Sequence, residues 1–389
     1  MSRATAVPVT PSVVEWAVAE SGYSLDELAA ATDVPADKIG SWAAGDSQPT
    51  VTQLRALAGK VRRPLATFLL PRPPRQAKPA LRFRAPPGST RRDLNPSERL
   101  RVREAARLQR VLSWMAGELH LPPPGIPRLR PTGSAEKHAS EARARIQASA
   151  RDRSQWRSSH AAFQAWRTGV QGSGIFVLTV PLGPDACRGF SLWDDRAPVI
   201  AVNTAWSAEA RSFTLFHEYA HLLTRTNSAC VEGPYRRTSS SSDPVERWCE
   251  HFAAAVLLPE DDLRLFMQAR LQKAPRVTEF EAVRSIATHF KVSLRAATLR
   301  LIDLDLAEWD LYASLPPVAD NKARGGGGAG RDRVQVKRDH YGAPVMEIFA
   351  TALRREVVTG GDVLDYLGIP PGSLSPMVPA SPSAGPDDD

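Results

Sequence analysis

Two histidines four residues apart, with a glutamate directly after the first, are the residues in this sequence best suited to chemistry. His217, Glu218 and His221 lie in a stretch, 212–223, that neither proline nor glycine interrupts, so it is expected to form a helix. Residues four apart share one face of a helix. Two imidazoles on one face can bind the same Zn²⁺, and the glutamate can reach a water on that ion without binding the metal itself.

This arrangement suits the hydrolysis of an amide. Zinc lowers the pKa of its water toward about 7, and a carboxylate takes the proton as the water attacks a carbonyl. Glu218 is therefore the candidate general base, with His217 and His221 as candidate zinc ligands. The other positions of the stretch from 214 to 223 are uncharged, as a helix buried behind a metal site requires. Two core histidines satisfied by Glu218 are the alternative interpretation.

A third ligand is expected from the next long helix, which should begin near Asp243 and Pro244. Glu246 and Glu250 lie four apart and so share one face of that helix. Asp243 is a good N-cap and Pro244 suits the first helical position. Because Asp-x-x-Glu is also a capping box, Glu246 could instead only close the start of the helix. Spacing alone leaves Glu246 and Glu250 both open.

Composition places limits on the class of protein. The chain has 389 residues, enough for two or three domains. Its three cysteines are an odd number, which excludes a disulfide framework and fits a reducing compartment. No run of 18 apolar residues occurs, and residues 1–12 lack a signal-peptide pattern. We expect a cytoplasmic protein with no membrane partner.

The N-terminal part is expected to be helical and the segment after it strongly basic. Residues 12–70 predict an all-α unit of short helices, in which Ser24 caps a helix and Glu27 completes a capping box. A tight turn between two of these helices predicts a helix-turn-helix. Residues 71–96 form a Pro/Arg-rich connector, and residues 71–110 hold twelve basic and three acidic residues. Such a stripe fits a polyanion or an acidic protein surface, or else a solvated connector.

Strands and helices mix in the remainder, so the predicted fold class is α+β. Strands are expected at 175–180, 188–193 and 197–202, the last two as a hairpin, and a single helix at 279–308. The predicted segments are a domain at 97–312 with a small sheet, a Gly-rich linker at 313–332, a small helical unit at 333–369 and a disordered tail at 370–389.

Two families resemble parts of this chain. Residues 25–29, 38–45 and 49–58 resemble the helix-turn-helix domains of the XRE family. His217–Leu223, followed by Glu246-x-x-Cys249-x-x-Phe252-Ala253-Ala254-x-x-Leu257-x-Pro259, resembles the ImmA/IrrE metallopeptidases over roughly residues 81–310. That resemblance implies a zincin-like fold of the gluzincin type, with Glu246 as third zinc ligand. Family members usually carry Asn where this chain has Glu250.

The resemblance also implies a function. It is the site-specific cleavage of a repressor or antitoxin, which relieves repression, often in a stress response. Zn²⁺ is the expected metal, and Mn²⁺ is the alternative. The expected partners are the protein substrate and, through the helix-turn-helix and connector, DNA. The alternative function is a helix-turn-helix transcriptional regulator whose metal domain acts as a sensor or interaction module.

Two further hypotheses concern the substrate. Ile200 or Val202 would lie on an edge strand above the metal, where an extended substrate adds as a strand. Tyr235, Arg236 or His251 would stabilise the oxyanion.

Overall fold

The computed structural model describes residues 6–74, 82–83, 94–146, 155–226, 228–230, 244–270, 276–316 and 332–374. They fall into two compact units. The first takes its described residues from Met1–Ala80 and Thr90–Ala106, and the second from Leu81–Ser89 and Arg107–Asp389. The fold is mostly helical with one small sheet, in agreement with the α+β prediction. No helix within these ranges is both long enough and apolar enough to cross a membrane.

The first unit is helical. Its helices are α1 (Pro11–Ser21), α2 (Leu25–Thr32), α3 (Ala36–Ala44) and α4 (Val51–Lys60), followed by a 3₁₀ turn at Leu65–Leu69. Ser24 and Glu27 form the predicted capping box at the start of α2. Three residues separate α2 from α3, and the first of them, Asp33, has a left-handed backbone. Assignment of this unit to the DNA-binding helix-turn-helix class stays a prediction.

The second unit holds the sheet and the remaining helices. In helix α5 (Pro96–Glu118), the residues up to Ala106 belong to the first unit and those from Arg107 onward belong to the second. The further helices are α6 (Ala135–Arg145), α7 (Ser159–Gly172), α8 (Ala208–Thr224), α9 (Pro244–Leu257), α10 (Glu260–Arg270), α11 (Phe280–Phe290), α12 (Leu294–Asp303), α13 (Trp309–Ala313), α14 (Arg333–Tyr341), α15 (Ala343–Arg354) and α16 (Gly360–Leu367). The main core lies where α6, α7, α8 and α9 pack together.

Five strands form one mixed sheet. They are β1 (Arg82–Phe83), β2 (Phe176–Val180), β3 (Gly189–Leu192), β4 (Val199–Asn203) and β5 (Ser228–Cys230), in the order β1-β5-β3-β4-β2. Strands β3 and β4 pair antiparallel, which confirms the predicted hairpin, whereas β2 runs parallel to β4. The hypothesis that Ile200 or Val202 lies on an edge strand is wrong, because β4 lies between β3 and β2.

The single helix predicted at 279–308 is divided into α11 and α12. The backbone of Lys291 turns left-handed at the end of α11, with φ 58°. Ser293 then caps α12 by accepting a hydrogen bond from the backbone of Ala296. A left-handed residue cannot continue a right-handed helix, so α11 ends before Lys291. The apolar periodicity of the sequence continues through this break, which is why the pattern predicts a single helix.

The segment bounds predicted from the sequence stay predictions. Most of the basic connector at 71–96 lies outside the described residues, and so do the four-glycine run of the linker and residues 375–389 of the tail. Helices α14–α16 occupy the segment predicted as a small C-terminal unit, and α14 packs against β2 in the second unit. That contact places the C-terminal helices on the sheet.

Candidate metal centre

Helix α8 carries the two histidines and Glu218 on its buried side. Ser207 begins the helix by accepting a hydrogen bond from the backbone of Ala210. Every residue from position 214 to 223 is buried, which agrees with the uncharged character of this stretch. The helix packs against α7 and α9 and against strands β3 and β4. His217 and His221 therefore face the protein interior, 5% and 1% exposed.

The ligand groups of three residues on α8 and α9 form a small triangle. Nε2 of His217 lies 3.1 Å from Nε2 of His221, Oε2 of Glu246 lies 3.3 Å from the first nitrogen, and Oε1 of Glu246 lies 3.4 Å from the second. Zinc bonds of about 2.0–2.1 Å in a tetrahedron separate neighbouring ligands by about 3.3 Å. The two imidazoles and the carboxylate are therefore spaced as neighbouring ligands of one zinc ion are.

The chemistry of these donors also fits a cation. Two imidazole nitrogens 3.1 Å apart repel each other unless a proton or a metal ion lies beside them. Two histidines and one carboxylate are a common set of protein ligands in catalytic zinc sites, which keep a fourth position open. Within the described chain, the group of donors close enough to share one ion consists of His217, His221 and Glu246.

Helix α9 settles which glutamate approaches the histidines. Glu246 lies in its first turn and Glu250 one turn later. The structure brings Glu246 into the triangle, whereas Glu250 is not in the group of described donors. Asp243, the predicted N-cap of this helix, lies outside the described residues. The choice that spacing left open therefore falls to Glu246.

Positive charge is stabilised at the triangle. Burial lowers the pKa of His217, but Glu246, and more weakly Glu218 and Glu250, outweigh it, so that this pKa is raised above its usual value. Burial raises the pKa of Glu246, but hydrogen bonds and charge from His217 and His221 outweigh that effect and hold it well below its usual value. Without a metal, the triangle therefore favours a proton on the imidazole of His217 and none on the carboxylate of Glu246. A metal cation can take the place of that proton.

Glu218 lies beside the triangle without joining it. The residue is fully buried, and neither of its carboxylate oxygens has a hydrogen-bond partner among the described residues. A buried carboxylate without a partner is costly to a fold. Such a group is expected where a ligand or a water molecule completes its hydrogen bonds, as the role of general base requires.

Gly189 is a feature of the site that the sequence analysis did not identify. A Cβ at this first residue of β3 would lie 2.5 Å from Cγ2 of Thr214, 2.7 Å from the carbonyl oxygen of Ala201 and 3.6 Å from Cγ of Glu218. Only glycine lets the sheet approach α8 this closely. The signal in the sequence was a glycine at the second position of the strand predicted at 188–193.

Of the three candidates for oxyanion stabilisation, the structure describes His251. Tyr235 and Arg236 lie outside the described residues. The side chain of His251 is mostly exposed, and its Nε2 lies 4.0 Å from a carboxylate oxygen of Asp303. The described structure therefore assigns no group to this role.

Comparison with known proteins agrees with the site. Residues 170–301 match the family model of the IrrE N-terminal-like domain, Peptidase_M78. The matched segment contains the three donors and Glu218, and it covers less than half of the chain. It supports the resemblance to the ImmA/IrrE metallopeptidases over that segment. No curated protein matches the chain.

Proposed function

We propose that this protein is a zinc-dependent endopeptidase. One observation carries the proposal: two imidazoles and a carboxylate lie close enough to share one metal ion, beside a buried carboxylate that has no hydrogen-bond partner in the described structure. His217, His221 and Glu246 would hold the metal. A zinc ion held there would lower the pKa of a water molecule and polarise the carbonyl of a peptide. The match to a peptidase family supports the same conclusion.

Glu218 supplies the proton transfers. One of its carboxylate oxygens takes a proton from the attacking water, and the same group then passes this proton to the leaving nitrogen of the peptide. Its burial keeps bulk water away from both transfers. Gly189 fixes the distance between the sheet and the backbone that carries Glu218.

We propose further that the substrate is a repressor or antitoxin. The support is the resemblance to ImmA/IrrE proteins together with the helical first unit, whose proposed role is to bring the peptidase to DNA or to a DNA-bound protein. Zn²⁺ is the proposed metal because of the two imidazole ligands, and Mn²⁺ is the alternative.

The test is the substitution Glu218→Gln. We expect the purified variant to contain as much zinc as the unaltered protein and to have lost cleavage of a co-expressed neighbouring repressor. Mass spectrometry of the repressor fragments measures cleavage, and a chelator should abolish it in the unaltered protein. Continued cleavage by the variant would exclude the assigned role. DNA binding with no cleavage by either protein would favour the transcriptional regulator with a sensor domain.

A further inference from the structure

Thr226, just beyond the end of α8, contacts the side of His221 that faces away from the triangle. Its Oγ1 lies 2.8 Å from Nδ1 of His221, and its backbone N–H donates to the carbonyl oxygen of His221 at 2.9 Å. The left-handed backbone of Arg225, with φ 58°, folds the chain back to make both contacts. The hydroxyl is thus held against one ring nitrogen while the other faces His217 and Glu246.

Arg225 fixes this turn in place. Its guanidinium donates to the carbonyl oxygens of Leu222 at 2.6 Å and Ile126 at 2.7 Å, and it lies 3.3 Å from the ring centroid of Trp193. A left-handed conformation is costly for arginine, and these contacts offset that cost. The position of Thr226 therefore follows from packing and hydrogen bonds.

Hydroxyl groups beside His221 offer its ring an acceptor. Oγ1 of Thr224 lies 3.2 Å from the carbonyl oxygen of Ala220 and 3.1 Å from that of His221, and carbonyls only accept. When Thr224 donates to one of these carbonyls, its oxygen accepts from Oγ1 of Thr226, 2.8 Å away. The other acceptor for the proton of Thr226, the carbonyl oxygen of His221 at 3.4 Å, also lies away from the ring.

When Nε2 of His221 binds a metal, the proton of this imidazole lies on Nδ1. Nδ1 then donates to Oγ1 of Thr226, whose own proton can go to Oγ1 of Thr224 or to the carbonyl oxygen of His221. Nε2 is the atom that lies 3.1 Å from Nε2 of His217 and 3.4 Å from Oε1 of Glu246. The contacts of this turn therefore suit the tautomer that can bind a metal.

We infer that Thr226 is a positioning residue for the metal. It holds the ring of His221 in place and accepts from Nδ1 when Nε2 binds the metal, so that the site binds zinc more tightly. This inference rests on the proposed function, since it assumes that zinc is the ion bound. A partner that accepts from the second nitrogen of a ligating histidine also makes that histidine a better ligand.

The experiment compares four threonine variants. Thr226→Val removes the hydroxyl and preserves the shape, and we expect zinc affinity to fall about 10- to 100-fold. Thr226→Ser should restore most of it, and Thr224→Val should cause a smaller loss, because Thr226 can still donate to the carbonyl oxygen of His221. Thr298→Val is the control, since it removes a buried hydroxyl away from the triangle that donates to a helix carbonyl, that of Leu294.

Zinc dissociation constants are measured by competition with a chelator, and the free energy of unfolding is measured for each zinc-free variant. Equal zinc affinity in Thr226→Val and the unaltered protein would overturn the inference and leave the proposed function standing. A Thr226→Ser variant as weak as Thr226→Val, or a similar loss in Thr298→Val, would also overturn it. If the unaltered protein binds no zinc, the proposed function itself fails, and this inference fails with it.

Discussion

The charges of His217 and Glu246 should make the stability of the zinc-free protein depend on pH. The pKa of Glu246 is lowered on folding, so its contribution is present above its unfolded value and is lost as pH falls through the folded value. The pKa of His217 is raised, so its contribution is present below its unfolded value and is lost as pH rises through the folded value. We expect the free energy of unfolding to fall as pH rises above about 6.5, the usual pKa of histidine, and through the raised pKa of His217.

Denaturant unfolding of chelator-treated protein measures this dependence. Glu246→Gln should remove most of the fall in unfolding free energy, whereas Glu250→Gln should keep most of it. Of the three glutamates that raise the pKa of His217, Glu250 has the weakest effect. Added zinc should reverse the trend for the unaltered protein, because zinc competes with protons for these ligands. An equal fall with pH in Glu246→Gln would contradict the assignment of Glu246 to the triangle.

At the scale of residues, the sequence predicts what is local. His217, Glu218 and His221 lie within five positions of one helix, so their common location followed from helical periodicity. The choice between Glu246 and Glu250 depends on how α9 is rotated against α8, which no spacing within α9 encodes. Thr226 could not be predicted, because its contact with His221 requires the left-handed turn at Arg225.

At the scale of elements, the close approach of β3 to α8 should tolerate no side chain at Gly189. A methyl group there would lie 2.5 Å from Thr214 and 2.7 Å from the carbonyl oxygen of Ala201. We expect Gly189→Ala to lower the free energy of unfolding by about 1–3 kcal/mol and to reduce peptidase activity by displacing Glu218. Gly172→Ala is the control, since a methyl group there meets nothing within 4 Å. Equal stability of the two variants by denaturant unfolding would show that the sheet can move away at no cost.

Elements were predicted better than their arrangement. The strands and the β3–β4 hairpin carry their own signals, namely β-branched runs and a turn. The order of strands is set by distant parts of the chain, so no local pattern indicates that β2 pairs with the outer side of β4. The end of α11 at Lys291 was missed because apolar periodicity continues through the break, although Ser293 is a capping signal.

At the scale of the molecule, one buried arginine joins the C-terminal helices to the sheet. Arg167 of α7 donates to the carbonyl oxygen of Val177 in β2 at 2.7 and 3.2 Å. The same guanidinium donates to the carbonyl oxygens of Asp339 at 2.8 Å and His340 at 3.3 Å, at the end of α14. Burial lowers its pKa to about 10, so it stays charged at neutral pH. These contacts join segments that the sequence analysis placed in separate units on either side of a linker.

Loss of this guanidinium should therefore destabilise the second unit as a whole. Arg167→Met leaves three carbonyl oxygens without this donor, and we expect the free energy of unfolding to fall by about 2–4 kcal/mol. Arg167→Lys should restore little of this, because an ammonium group cannot reproduce the planar set of donors. Arg354→Met, at an exposed arginine of α15, is the control and should change stability by less than about 0.5 kcal/mol. Hydrogen exchange should show faster exchange in α14 and β2 together, since Arg167 bonds to both. Faster exchange in α14 alone would mean that the sheet does not depend on the C-terminal helices.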